Sequence, residues 1–361
     1  MTQSAGLLPA ACPGWPASRP PPAPLPPSSG LLLPASSSPP AILRPAPARL
    51  RLLPPPRSLR QLMAGPCSAR LQGDVAAFTA ALRTLVNNPQ FSDVMFVVGQ
   101  EQQKVFAHRC VLACRCQAFR GMLSQAPVGS QDSSSITPQG PFILGNVQPE
   151  VFLAVIEFLY TNSVTLNSHI ALEVLTSSVE YGLQDLCKLC VKFIKDTLSV
   201  EQVCEALQAA VTYGQVDLQQ HCLDFIEGCT AAVVRTQGFR ELSDVVLARV
   251  LRSDRLAVDE LDLVQAVREW AHVSSAVLER PVPEVAALPV RELRLPLLAP
   301  SELVTLESYN QQDLLIPVEN IAAAWRAHAL RRDSGVPSRL CRPRQGTRPR
   351  DHHRHLEPHT K

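Results

Sequence analysis

Apolar residues follow two different spacings soon after residue 74. Phe78, Leu82 and Leu85 recur at the spacing of one face of a helix. Two short runs rich in β-branched and aromatic residues follow at 93–99 and 103–109, and a polar stretch lies between them. The pattern therefore predicts a helix followed by a two-stranded hairpin.

Helical spacing dominates the rest of the chain. A third β-rich run at 142–147 precedes an apolar helix at 149–161, which a proline opens in its first turn. Gly182 separates two of the helices that follow. We therefore predict an α+β fold, with a small sheet capped by helices over residues 74–199 and an all-helical domain over residues 200–310.

The two ends of the chain differ in composition from the middle. Residues 1–62 hold about half of the 33 prolines and no acidic residue, so we expect a disordered segment. A transit peptide or a ligand for SH3-type grooves is the alternative, and Met63 is an alternative translation start. Residues 331–361 are basic and contain His and Pro, so we expect a solvated, disordered tail. A nuclear signal or nonspecific nucleic-acid contact is its alternative.

Charge and cysteine content narrow the class of protein. With 34 Lys and Arg against 32 Asp and Glu, the net charge of +2 gives no field that favours nucleic acid or a membrane surface. The 11 cysteines form no disulfide framework, which indicates a reducing compartment. We expect the cytoplasm, with the nucleus as the alternative. No apolar run reaches the roughly 18 residues of a membrane span.

Three stretches resemble a known family. FSDVMFVVGQEQQKVFAHRCVLACRCQAFRGML, residues 91–123, resembles the BTB/POZ signature, in which an aspartate opens the first strand and F-x-A-H-[KR]-x-x-L-A opens the first helix. PEVFLAVIEFLYTNSVTL, residues 149–166, resembles a later helix of that domain. VLRSDRLAVDELDLVQAVREWA, residues 250–271, resembles the BACK domain. The resemblance implies a BTB/POZ fold followed by a helical BACK domain, and a non-enzymatic protein–protein interaction adaptor.

The resemblance also implies roles for particular residues. Asp93 and Arg109 match positions that form a charged pair in a partly buried pocket, with a structural role or, as the alternative, a role in partner binding. BTB relatives pair near their first helix. We therefore expect a homodimer whose interface includes Phe78, Leu82 and Leu85.

Many BTB–BACK proteins are substrate adaptors of cullin-3-type ubiquitin ligases and bring a client protein to the ligase. That role implies a candidate cullin face at Phe119, Met122, Leu123 and Phe152. Strong cullin binders carry a hydrophobic-x-Glu triplet after the corresponding helix, whereas the flexible loop expected at 126–141 contains no Glu. The alternative is a homo-oligomerising regulatory scaffold with no ligase role.

Motifs for catalysis or cofactor binding are missing from the sequence. It contains no P-loop, G-x-G-x-x-G, G-x-S-x-G or H-E-x-x-H, so we expect no enzyme and no cofactor. The cysteines of 110–116 and 187–190 lie in apolar helices, where Cys acts as a small hydrophobe, so we expect no metal site. Thiol sensing by Cys114 or Cys116 stays an alternative. His108 is expected to be structural.

Overall fold

The computed structural model describes residues 72–124, 141–330 and 337–355. The predictions for the Pro-rich segment at 1–62 and for the loop at 126–141 therefore lie outside the described residues, apart from Pro141 at the end of the loop.

A three-stranded sheet forms from the three β-rich runs. The strands are β1 (Val94–Val98), β2 (Gln103–Ala107) and β3 (Phe142–Leu144), in the order β2-β1-β3. β1 pairs antiparallel with β2 and parallel with β3. Alternate residues of β1 are buried, as expected for a strand that covers a core with one face. Gly99 turns the hairpin with a positive φ of 72°.

Six helices cap this sheet and complete the first domain. They are α1 (Val75–Arg83), α2 (Arg109–Arg115), α3 (Gln117–Ser124), α4 (Pro149–Thr161), α5 (Ala171–Glu180) and α6 (Gln184–Thr197). α4 is the central helix, because most of its residues are buried. It begins at the predicted proline and ends at Asn162, which adopts a left-handed conformation with φ of 56°.

The second domain is helical throughout its described residues. Its helices are α7 (Val203–Thr212), α8 (Val216–Gly228), α9 (Thr230–Val233), α10 (Gln237–Arg240), α11 (Asp244–Leu251), α12 (Glu260–Leu278), α13 (Val282–Val285), α14 (Pro300–Asp313) and α15 (Val318–Leu330). The α+β prediction is confirmed. α15 lies beyond residue 310, where we had expected the helical domain to end. None of the helices in the described ranges is both long and apolar enough to cross a membrane.

Residues 337–355 differ from the solvated tail that the sequence led us to expect. They lie against the helical domain and include two short 3-10 turns, Ser338–Cys341 and Asp351–His355. The backbone N–H groups of Gln345 and Gly346 donate to the carbonyls of Asp254 and Leu256, at 2.9 and 3.0 Å. We call residues 337–355 the arginine strap.

Candidate interaction surfaces

Helix α1 presents an apolar face that the described chain leaves uncovered. No residue of α1 is buried, and the Phe78 side chain is 64% exposed. Leu82 is half-buried on the same face, and Leu85, just after the helix, packs partly against the core. Exposure thus decreases along the three residues predicted for a dimer interface, from the exposed Phe78 to the half-buried Leu82 on the same side of α1 and Leu85 just beyond it.

The end of α1 is fixed to the first domain by polar contacts. The Arg83 guanidinium forms an ion pair with Glu157 of α4 at 2.6 Å and donates to Ser163 Oγ at 3.1 Å. Asn87, just beyond the helix, accepts a hydrogen bond from the Phe106 backbone N–H at 3.1 Å. These contacts hold α1 in place, so its apolar face does not depend on a partner for its orientation.

Asp93 and Arg109 meet through the backbone. Asp93 Oδ1 accepts a hydrogen bond from the Arg109 N–H at 2.7 Å, and Arg109 Nη2 donates to the Leu123 carbonyl at 2.7 Å. Asp93 is exposed and Arg109 is half-buried, rather than both lying in a buried pocket. The Asp93 carboxylate therefore links β1 to the start of α2 at a solvated position.

Three of the four residues of the candidate cullin face belong to the core. Phe119, Leu123 and Phe152 are buried, and Met122 is half-buried. Phe119 stacks on Tyr181 at 4.9 Å between ring centroids and lies 6.2 Å from Phe152. The three buried side chains can shape the surface above them, but only Met122 is accessible to a partner.

His108 and Tyr160 form a buried polar pair beneath β2. The Tyr160 hydroxyl accepts from the His108 backbone N–H and lies 2.8 Å from His108 Nδ1, to which it can donate its proton. Burial raises the pKa of Tyr160 to about 12. His108 Nε2 is buried and has no hydrogen-bond partner among the residues described. The pair joins β2 to α4.

The five cysteines of 110–116 and 187–190 divide into an exposed and a buried group. Cys110 and Cys114 are exposed on α2, whereas Cys116, Cys187 and Cys190 are buried. Burial raises the pKa of Cys190 to about 12, which disfavours the thiolate that a metal requires. Within the described ranges, no group of three or more His, Cys, Asp or Glu residues has an arrangement that could hold a metal ion.

The arginine strap inserts one fully buried arginine into the helical domain. Arg344 Nε donates to Glu260 Oε2 at 2.8 Å, and both side chains are 0% exposed. Its two terminal nitrogens donate to the backbone carbonyls of Leu251, Ser253 and Glu292. The buried charge thus has both an opposite charge and full hydrogen bonding, which a buried ion pair needs in order to be stable.

Four other arginines of the strap are ion-paired with acidic residues of the helical domain. The pairs are Arg339 with Glu292, Arg342 with Asp254, Arg348 with Asp262, and Arg350 with Asp259 and Glu302. Sequence reasoning missed this site. The available signal was the complementarity between the basic strap and the acidic stretch at 254–262, but charge alone does not specify which segments meet.

Three histidines cluster where the strap meets α15. His352 and His353 of the strap lie 4.6 Å apart between ring centroids, and His352 lies 4.3 Å from His328 of α15. Nε2 of each ring lies within 2.8–3.1 Å of one of three consecutive backbone carbonyls, those of residues 296–298. Burial, followed by the charges of His328 and His353, lowers the pKa of His352 to about 4, and Arg350 adds to this effect.

Acidification is expected to weaken the folded state at this cluster. Burial also lowers the pKa of His328. A histidine with a lowered pKa binds fewer protons when folded than when unfolded, so its contribution to stability is lost as the pH falls from about 6.5 towards 4. The melting temperature of the wild-type chain should therefore decrease between pH 7 and pH 5.

The matched control is His352→Gln, whose amide can donate to the Pro296 carbonyl but cannot take up a proton. Thermal melts of both chains at several pH values within this window measure the difference. We expect the variant to show the weaker pH dependence. Equal pH dependence of the two chains would show that His352 does not titrate in the way its surroundings imply.

Comparison with known proteins identifies both domains. The model of the BTB/POZ domain family matches residues 82–198, and that of the BACK family, "BTB And C-terminal Kelch", matches residues 203–307. The chain is 58% identical to BTB/POZ domain-containing protein 19 of Homo sapiens over 292 residues, which are 81% of this chain and 98% of that protein. The Bos taurus protein of the same name is 58% identical over 287 residues, 80% of this chain and 96% of that protein.

A more distant similarity covers both domains. The chain is 27% identical to BTB/POZ domain-containing protein 9 of Homo sapiens over 258 residues. The match covers 66% of this chain and 41% of that longer relative.

Proposed function

The chain belongs to the BTB/POZ family, in the group whose BTB domain is followed by a BACK domain, and from this premise we propose that it is an adaptor that forms a homodimer through α1. Proteins of this family are generally protein-interaction adaptors rather than enzymes. The observation that carries the proposal is the uncovered apolar face of α1, on which Phe78 is 64% exposed.

Burial of this face against a second copy would be favourable. Covering one phenylalanine side chain stabilises a complex by about 1.5–3 kcal/mol, before the cost of association is subtracted. A two-fold axis near α1 would bring the same residues of both copies together, so each apolar contact would occur twice. The Arg83–Glu157 ion pair fixes the helix beforehand, which reduces the entropy lost on pairing.

Phe78→Asp is expected to convert the dimer to a monomer. An aspartate at the centre of the interface would lie opposite the same aspartate of the second copy. Both carboxylates would then have to be desolvated without a positively charged partner. Sedimentation velocity of the full chain at micromolar concentration measures the mass. Because Phe78 is exposed within one protomer, the substitution should leave the protomer folded.

Ala80→Asp is the matched control, because residue 80 is exposed on the opposite side of the same helix. This variant should remain a dimer. A wild-type chain that sediments as a monomer, or a Phe78→Asp chain that sediments as the wild-type dimer does, would contradict the proposal that α1 forms the interface.

The finer proposal is that the dimer is a substrate adaptor of a cullin-3-type ubiquitin ligase, and the alternative is a regulatory scaffold without a ligase role. The family supports the first. The burial of Phe119, Leu123 and Phe152 favours the second, because it leaves Met122 as the accessible member of the candidate face. Calorimetry of the full chain with the N-terminal domain of cullin-3 separates them. An affinity on the order of a micromolar or tighter would support the ligase adaptor.

We place this adaptor in the cytoplasm, with the nucleus as the alternative. The nine cysteines of the described ranges are free thiols, which a reducing compartment favours. The nuclear alternative relied on the basic tail. Five arginines of the strap are ion-paired with the helical domain, so their charge is less available to a nucleic acid or a transport receptor.

A further inference from the structure

The arginine strap is held by charge and hydrogen bonds rather than by apolar burial. Among residues 337–354, the arginine side chains of Arg344 and Arg350 are 0% and 9% exposed, while Leu340 and Cys341 remain half-exposed. The strap itself therefore buries few apolar side chains. Salt screens the exposed pairs, Arg342–Asp254 and Arg348–Asp262, and screens the buried Arg344–Glu260 pair much less.

The residues that hold the strap belong to the folded helical domain. We call Asp254, Asp259, Glu260, Glu292 and Glu302 the acidic site. The side chains of Asp259, Glu260 and Glu292 are 1%, 0% and 8% exposed beneath the strap. Carboxylates at this depth require positively charged partners, since an unpaired buried charge is costly. The acidic site is thus suited to the guanidinium groups of a segment that lies across it.

The site has the geometry to select arginine. The planar fork of Arg344 reaches Glu260 at 2.8 Å on one side and the Glu292 carbonyl at 2.9 Å on another. A lysine ammonium has no such fork and could not make these contacts together. The site also requires a glycine two residues after the arginine, because a Cβ atom at Gly346 would overlap the backbone of Ala257 and Val258.

We propose that the acidic site recognises extended, arginine-bearing segments of partner proteins, and that the arginine strap occupies it in cis until such a segment displaces it. The preferred segment carries an Arg-x-Gly core, as Arg344 and Gly346 do, with further arginines on both sides. A partner segment that makes the same contacts competes with the strap by mass action. This site is separate from the apolar face of α1.

Hydrogen exchange of the wild-type full chain tests whether the strap opens by itself. The amides of Gln345, Gly346 and Arg348 are hydrogen-bonded to the acidic stretch. We expect them to exchange roughly 100-fold faster than the central amides of α12, and faster still at high salt. Exchange as slow as that of α12 would make the strap an integral part of the domain and would overturn the proposal. Exchange that slows as protein concentration rises would identify a second copy as the occupant and would also overturn it.

Binding of a labelled peptide tests recognition. The probe is a synthetic peptide with the sequence of residues 337–355, added to the wild-type full chain and to its Gly346→Val variant. Valine at this position expels the chain's own strap and leaves every acidic residue in place. We expect the peptide to bind the variant at least about tenfold more tightly than the wild type, because the site is vacant. Failure to bind a variant whose circular dichroism matches that of the wild type would overturn the proposal.

Two changed peptides and one further chain serve as controls. Arg344→Lys in the peptide should weaken binding about tenfold or more, because an ammonium cannot reach Glu260 and the backbone carbonyls at the same time. Arg354→Ala should leave binding unchanged, since Arg354 is exposed and forms no ion pair within the described residues. Adding Glu292→Gln to the Gly346→Val chain should weaken binding of the unchanged peptide. If all peptides bind equally, the attraction is nonspecific charge and the proposal is wrong.

Discussion

Phe119→Ala is expected to lower the free energy of unfolding of the first domain by about 3–5 kcal/mol. The ring is fully buried, stacks on Tyr181 at 4.9 Å and packs edge-on against Phe96 at 5.9 Å between centroids. Its removal leaves a cavity between the sheet and α5, in a core that can close only partly around it. Urea denaturation of the wild-type and variant chains, followed by circular dichroism, measures the loss.

This result bears directly on how a partner surface is mapped. If Phe119→Ala abolishes binding of a cullin or a client, the loss of folded protein explains it as well as the loss of a contact does. Met122→Ala is the matched control on the same helix, because Met122 is half-buried and its truncation should cost much less. A Phe119→Ala chain that unfolds at the wild-type urea concentration would show that the ring is not part of the core.

Trp270→Ala is expected to destabilise the helical domain by a similar amount, about 3–5 kcal/mol. Trp270 lies on α12, is buried, and donates its indole N–H to the Leu242 carbonyl at 2.7 Å. The alanine variant loses the packing of the largest side chain and leaves a buried carbonyl without its donor. The melting temperature and the urea midpoint of the full chain should both decrease.

Trp270→Phe separates the two contributions. Phenylalanine retains much of the apolar volume and loses the hydrogen bond, so we expect a cost of about 1–3 kcal/mol from the unpaired Leu242 carbonyl. The order of stability should be wild type, then Trp270→Phe, then Trp270→Ala. Equal stability of all three chains would mean that Trp270 is not part of the core of the helical domain.

The sequence by itself determined the elements of the first domain. In β1, residues alternate between buried and partly exposed positions, and Gly99 supplies the left-handed conformation that the hairpin needs. The proline that starts α4 and Gly182 after α5 act through local geometry in the same way. Such signals are readable because each depends on the conformation of a few neighbouring residues. The family resemblance then followed from the order of these elements.

Tertiary structure decided which surfaces are covered. A helical apolar stripe shows that one face avoids water, but it does not show what covers that face. The stripe of α3, with Phe119 and Leu123, is covered by this chain, whereas the described residues leave the stripe of α1 with Phe78 open. Asp93, expected in a pocket, is exposed at the start of the sheet, because what it meets is the backbone of α2.

The arginine strap depends most strongly on the tertiary structure. Its composition resembles that of a solvated tail, because it contains few apolar residues and many charges. The folded helical domain places Glu260 where Arg344 can reach it across 84 positions of sequence, and turns neighbouring backbone carbonyls towards the same guanidinium. An ion pair formed over such a separation leaves no local pattern in the sequence. The periodicity of apolar residues determined the helices and strands. The fold decided which charged residues that lie far apart in the sequence, such as Glu260 and Arg344, form ion pairs.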